Sequence, residues 1–127
     1  MRILIVDDFL TMRRVLRGHL REMGFDDVAE AGDGAGALAL LGQGGFDLVI
    51  SDIDMPTLGG FELLAAIKHD AKLRALPVLL VTAEAKKDEI VRSAQGGAAD
   101  YIVKPFTRAG LEERLRRAVP GLFVAVD

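Results

Sequence analysis

The hydrophobic and polar positions of the chain switch repeatedly between two spacings. Arg2 to Asp7 holds the unbroken apolar run Ile3-Leu4-Ile5-Val6 and ends in acid, which predicts a short buried strand. From Leu10 to Glu22 the apolar positions Met12, Val15, Leu16 and Leu20, continued by Met23, recur at helical spacing with Arg and Glu between them. Gly24 then supplies the usual helix stop. Val28 to Ala31 predicts a second strand. Gly32-Asp33-Gly34 turns into a helix carrying Leu38, Leu40 and Leu41, weakened by Gly36 and closed by Gly42. Phe46 to Ser51 predicts a third strand, and Phe61 to Lys68 a helix after Pro56 and Gly59-Gly60. A strand over Val78–Val81, a helix over Lys86–Ala94, a strand over Tyr101–Val103 and a helix over Thr107–Val119 complete the pattern.

Strands that are apolar throughout, rather than alternating, suit a sheet covered on both faces. Their strict alternation with helices implies right-handed crossovers and one parallel sheet. The expected fold is therefore α/β, a doubly wound five-stranded parallel sheet flanked by five helices. One domain over residues 1–119 accounts for these elements. The segment 120–127, with Leu122, Phe123, Val124 and Val126, is apolar for a terminus. Docking on the core and continuation into a longer chain both fit it.

Composition narrows the function classes. The chain has 127 residues, half of them hydrophobic, and so can bury a core unaided. The absence of Cys removes disulfides and thiolate metal sites. A formal charge of −3 and the lack of Trp argue against nucleic acid as a partner. No apolar run approaches the roughly 20 residues of a membrane span, and the N-terminal run is too short for a signal peptide. The expectation is a cytoplasmic monomer with no membrane partner.

The chemistry concentrates where strands end. Asp7 and Asp8 follow the first strand, Asp52 and Asp54 the third, Thr82 the fourth and Lys104 the fifth. In a parallel sheet all these ends lie on one edge, where α/β proteins bind ligands. Taken singly, Asp8 or Thr82 could cap a helix, Lys104 could snorkel to solvent and Tyr101 could be a plain edge aromatic. Asp52 resists such a reading, because an acid directly after a buried strand is costly without partners. Clustered carboxylates need a raised pKa or a cation, and hard oxygens suit Mg²⁺. A carboxylate in that setting can accept a phosphoryl group.

Four segments carry a resemblance to a known family: Ile5-Val6-Asp7-Asp8-Phe9 with Thr11-Met12-Arg13-Arg14; Ile50-Ser51-Asp52 with Met55-Pro56; Leu76-Pro77-Val78 with Val81 to Lys87; and Val103 to Thr107 with Leu111-Glu112-Glu113. The chain resembles a response-regulator receiver domain over nearly all its length to about Val119, and its last two segments resemble the chemotaxis branch. The resemblance implies the flavodoxin-like strand order 2-1-3-4-5. It implies a two-component signalling switch, not an enzyme with an outside substrate, in which Asp52 takes phosphate from a histidine kinase. Asp8 and Asp52 would bind Mg²⁺ directly, Asp7 through water, and Asp54 through its backbone carbonyl. Lys104, before a cis bond to Pro105, would pair with the phosphoryl oxygens; Thr82 would sense them and Tyr101 would swing inward. Ala85, Lys86, Lys87, Ile90, Tyr101, Val103 and Phe106 would form the output face. Its partner would be the flagellar motor switch, with a phosphatase as a further partner.

Two positions depart from the family pattern. Asp54 stands where close relatives carry Asn, which puts the phosphoryl lifetime in question. Gly59 replaces an acidic or amide residue and should loosen the Met55-Pro56 loop. A receiver serving a phosphorelay, or cut from a longer regulator, fits the same residues. Asp52-Ile53-Asp54 also resembles the Asp-x-Asp nucleophile motif of haloacid-dehalogenase-type phosphatases, although that motif normally follows the first strand.

Overall fold

A computed structural model describes residues 1–84 and 86–122. Ten elements alternate without exception: β1 (Ile3–Val6), α1 (Leu10–Glu22), β2 (Val28–Ala31), α2 (Gly34–Leu41), β3 (Leu48–Asp52), α3 (Gly60–His69), β4 (Val78–Thr82), α4 (Lys87–Gln95), β5 (Asp100–Val103) and α5 (Arg108–Ala118). All strand pairs are parallel and the order is β2-β1-β3-β4-β5. The flavodoxin-like order is thus present, with β3 in the centre.

Side chains of a strand alternate between faces, and the two cores follow that rule. Leu4, Val6, Val49, Val78 and Leu80 point to one face, under Ala37 and Leu41 of α2 and Leu63, Leu64 and Ile67 of α3. Ile3, Ile5, Leu48, Ile50, Leu79 and Val81 point to the other, under Leu16 and Leu20 of α1 and Leu111 and Leu115 of α5. Among the described residues no side chain of α4 joins either core; its one buried residue is Ser93.

Helix ends match the local signals. Gly24, at φ 97°, takes the left-handed turn after α1. Asp33 caps α2 by accepting the Gly36 N–H at 2.7 Å, and Thr107 caps α5 by accepting that of Gly110 at 3.0 Å. Asp8 is no cap: α1 starts after Phe9 without a side-chain cap.

The largest difference in a strand boundary is at the start of β3, while β3 and β4 each run one residue further and β5 starts one residue earlier than expected. β3 begins at Leu48, because Phe46 lies in the preceding loop with the Arg2 guanidinium 4.3 Å from its ring centre. In the C-terminal segment Leu122 packs half-buried against the α1/α5 core. Residues 123–127, most of that apolar segment, lie outside the described residues, as does Ala85 of the expected output face.

Candidate phosphoacceptor site

Strand register brings the expected residues together. Asp52 ends β3 opposite Val81, and the Ile53 N–H continues the ladder to the Val81 carbonyl at 2.9 Å. Thr82 ends β4 opposite Val103, and the Lys104 N–H reaches the Thr82 carbonyl at 2.7 Å. The Asp7 N–H bonds to the Ala31 carbonyl at 3.1 Å, tying the end of β1 to β2. The scattered acids, hydroxyl and amine therefore share one sheet edge.

Asp52 is buried, 6% exposed, and so is Asp7 at 1%. Lys104 Nζ lies 3.3 Å from Asp52 Oδ1 and 3.3 Å from Asp7 Oδ2, bridging the two carboxylates. The Lys104–Pro105 peptide is cis, as the family resemblance implies. Asp7 Oδ1 accepts the Phe9 N–H at 2.9 Å. Asp8 is exposed, and its side chain makes no hydrogen bond or ion pair among the described residues. Oxygens of Asp7, Asp8 and Asp52 all lie within 4.8 Å of one another. Burial pushes the Asp52 carboxyl up to about 6 from 3.8; Lys104 opposes that rise, while Asp7 and Asp54 add to it. Three carboxylates at this spacing, one exposed and without protein partners, fit a hard divalent cation such as Mg²⁺.

Thr82 is 3% exposed and its hydroxyl is already engaged. It donates to the Glu84 carbonyl at 2.8 Å, with Glu89 Oε1 of α4 a second acceptor at 3.4 Å. Thr82 does not cap α4, whose N-cap is Lys86. Tyr101 is half-buried, with the Arg114 guanidinium 5.0 Å from its ring centre. Lys86 and Lys87 are exposed, while Ile90, Val103 and Phe106 are half-buried.

The side chain of Asp54 is exposed and stands outside the group of three carboxylates. Gly59 corrects an expectation. A Cβ there would sit 2.9 Å from the Ile53 carbonyl oxygen and 2.9 Å from Glu62 Oε2, so this glycine lets the loop close tightly on the end of β3. Gly60 beside it would drive a Cβ into the Asp52 carbonyl oxygen. At Gly59 and Gly60 the end of the Met55-Pro56 loop thus lies tight against β3, while Pro56 and Thr57 at its tip are exposed.

Two charge networks, one beside this edge and one at the opposite end of the sheet, were not read from the sequence. Glu30 of β2 accepts from Arg13 Nε at 3.0 Å and Arg17 Nε at 2.7 Å, and Arg13 Nη1 donates to the Asp7 carbonyl at 2.6 Å. Asp100, at the start of β5, lies 3.2 Å from both Arg114 and Arg117 of α5. The signals were present as two Arg on one face of a helix, at i and i+4 in α1 and at i and i+3 in α5, and a lone acid in an otherwise apolar strand.

A doubly wound parallel sheet with carboxylates, a lysine and a hydroxyl gathered at its C-terminal edge is the arrangement that the resemblance to a signalling receiver domain implies. Residues 3–116 match the response regulator receiver domain, and the chain belongs to that family. The chemotaxis protein CheY of Pseudomonas aeruginosa is 50% identical over 117 residues, 92% of this chain and 94% of that protein. CheY-3 of Vibrio cholerae is 52% identical over 115 residues, covering 91% and 88%. Among solved structures, CheY4 of Vibrio cholerae superposes with a TM-score of 0.86 at 32% identity, covering 93% of this chain and 98% of that one. The receiver domain of a signal transduction histidine kinase from Syntrophus aciditrophicus gives 0.84 at 33% identity, covering 98% and 93%. The chain is thus a two-component receiver, a signalling protein, and the phosphatase reading of Asp52-Ile53-Asp54 gives way to that assignment. No helix among the described residues is long and apolar enough to cross a membrane.

Proposed function

We propose that Asp52 accepts a phosphoryl group from a histidine kinase and that the chain signals through the face formed by α4, β5 and α5. The observation that carries this is the buried Asp52 carboxylate held 3.3 Å from Lys104 Nζ beside Asp7 and Asp8. An Asp52 oxygen forms the new bond to phosphorus as the bond from phosphorus to the donor nitrogen breaks, and the donor leaves with that electron pair. Lys104 pairs with the charge on the transferred group. Asp7, Asp8, Asp52 and the Asp54 carbonyl would hold Mg²⁺, which supplies charge neutralisation for the carboxylates and the phosphoryl oxygens. Thr82 leaves the Glu84 carbonyl to donate to the phosphoryl group, and Tyr101 turns inward behind it. The Asp54 carboxylate adds negative charge beside the acceptor and alters how long the phosphoryl group survives.

The identity to chemotaxis proteins supports the flagellar motor switch as output partner, with a phosphatase as a further one. In the test, the chain is incubated with labelled acetyl phosphate and Mg²⁺. One phosphoryl per chain is expected, with none after Asp52→Asn or with chelator. Unchanged labelling of Asp52→Asn would overturn the reading. An N-terminal peptide of a flagellar switch protein should bind more tightly after beryllofluoride treatment; equal binding in both states removes that partner.

A further inference from the structure

Asp8 is the weak point of the carboxylate group. Asp7 is buried, accepts a backbone N–H and faces Lys104, and Asp52 also faces Lys104. Asp8 is exposed and without side-chain partners among the described residues. Its position depends on its backbone, and that backbone begins with the peptide unit joining Asp7 to Asp8. The unit is planar, so whatever fixes the Asp7 carbonyl oxygen also fixes the direction in which the Asp8 N–H and Cα leave it.

That oxygen is held by a charged donor. Arg13 Nη1 donates to it at 2.6 Å, a short charge-assisted bond. The guanidinium is itself oriented, because its Nε donates to Glu30 Oε1 at 3.0 Å across the gap from α1 to β2. The Arg13 side chain is 18% exposed and that of Glu30 23%. Arg17 shares Glu30, donating to Oε2 at 2.7 Å, but its other donor goes to the Val28 carbonyl at 2.9 Å, away from the acids. The two arginines thus share one carboxylate, and only one of them touches the chain between Asp7 and Asp8.

We propose that Arg13 is a positioning residue for the divalent-cation site: held by Glu30, it clamps the Asp7–Asp8 peptide and so places the Asp8 carboxylate. This rests on the phosphoacceptor reading above. Removing a group that orients a metal ligand typically weakens the metal about 10–100-fold.

The test measures Mg²⁺ affinity of the full chain by isothermal titration calorimetry, with urea midpoints recorded for every variant. Arg13→Met should raise the Mg²⁺ dissociation constant about tenfold. Arg17→Met, which loses the same Glu30 pairing, should shift it less than about twofold while lowering the urea midpoint comparably. Arg13→Lys can reach the carbonyl or Glu30 but not both, and should fall between wild type and Arg13→Met. Wild-type affinity in Arg13→Met would overturn the proposal, and so would an equal loss in Arg17→Met, which would reduce Arg13 to a general stabiliser. A wild-type chain that binds no Mg²⁺ would instead overturn the reading beneath it.

Discussion

α1 and α4 both border the edge that carries Asp52, and they are held in opposite ways. α1 buries Leu16 and Leu20 in the core, sends Arg13 and Arg17 to Glu30 of β2, and has Glu22 at 3.1 Å from Arg108 of α5's first turn. α4 buries only Ser93 and leaves Val91 45% exposed. Its helix rests on local terms such as Asp88 and Glu89 in the first turn, facing the positive end of the dipole. Among the described residues its side-chain ties to the rest of the fold include the Thr82–Glu89 contact at 3.4 Å and the Arg92 guanidinium 4.1 Å from the Phe61 ring centre. The side that carries Asp7 and Asp8 thus adjoins a helix with residues in the core, and the side that carries the Thr82 contact adjoins a helix with none there among the described residues. On the proposed function this contrast serves both tasks, since a moving metal site could not hold its charge and an immobile reporter could not respond.

The contrast predicts a large difference in stability. Leu20→Ala empties a fully buried site and should cost about 3 kcal/mol in urea unfolding. Ile90→Ala, on the half-buried face of α4, should cost less than about 1 kcal/mol. Equal losses would mean that α4 is as much a part of the core as α1, and the comparison would fail.

A smaller effect follows from what the fixed side does to Asp52. Burial together with the Asp7 carboxylate raises its pKa from 3.8 to about 6, against the opposing pull of Lys104. Between those values the folded state keeps a proton that the unfolded state has lost. Stability from this group therefore falls as pH rises through the window, and at neutral pH the ionised Asp52 is destabilising. Without divalent cations, Asp52→Asn should match wild type below pH 3.8 and exceed it near neutrality. The expected gain is about 2 kcal/mol, allowing for screening by water at the open edge. Chemical denaturation across that range in EDTA measures it. A gain that is the same at every pH would show that Asp52 is not under electrostatic strain.

How much of this was legible depended on whether the signal was local. The ten elements follow from runs and helical spacings, and the convergence of Asp7, Asp8, Asp52, Thr82 and Lys104 follows from parallel strands ending on one edge. The looseness of α4 was not legible. The Lys86–Ala94 pattern predicted a helix like the others, with Ile90 on the output face by resemblance alone, and only packing shows that neither Ile90 nor Val91 reaches a core. Arg13 and Arg17 appeared as polar spacing on α1, because nothing in a helix pattern says which acid of a distant strand will face them. Gly59 misled for a related reason: a glycine's freedom is a local property, whereas its closeness to Ile53 and Glu62 is set by the fold.

The smallest effect probes the loose side directly. Arg92 bridges the gap between α4 and α3 by stacking on Phe61, and a cation–π contact at a solvent-exposed position contributes about 0.5–1 kcal/mol. α4 has no core residue to fall back on, so losing that contact should show up locally. Hydrogen exchange of Arg92→Ala should reveal faster exchange across Lys87–Gln95 by a factor of about 2–5. Protection across Leu10–Glu22 should stay unchanged, because the bonds of Arg13 and Arg17 to Glu30 do not pass through α4. If both helices lost protection together, they would belong to one cooperative unit, and a fixed metal side could not be separated from a yielding reporter side.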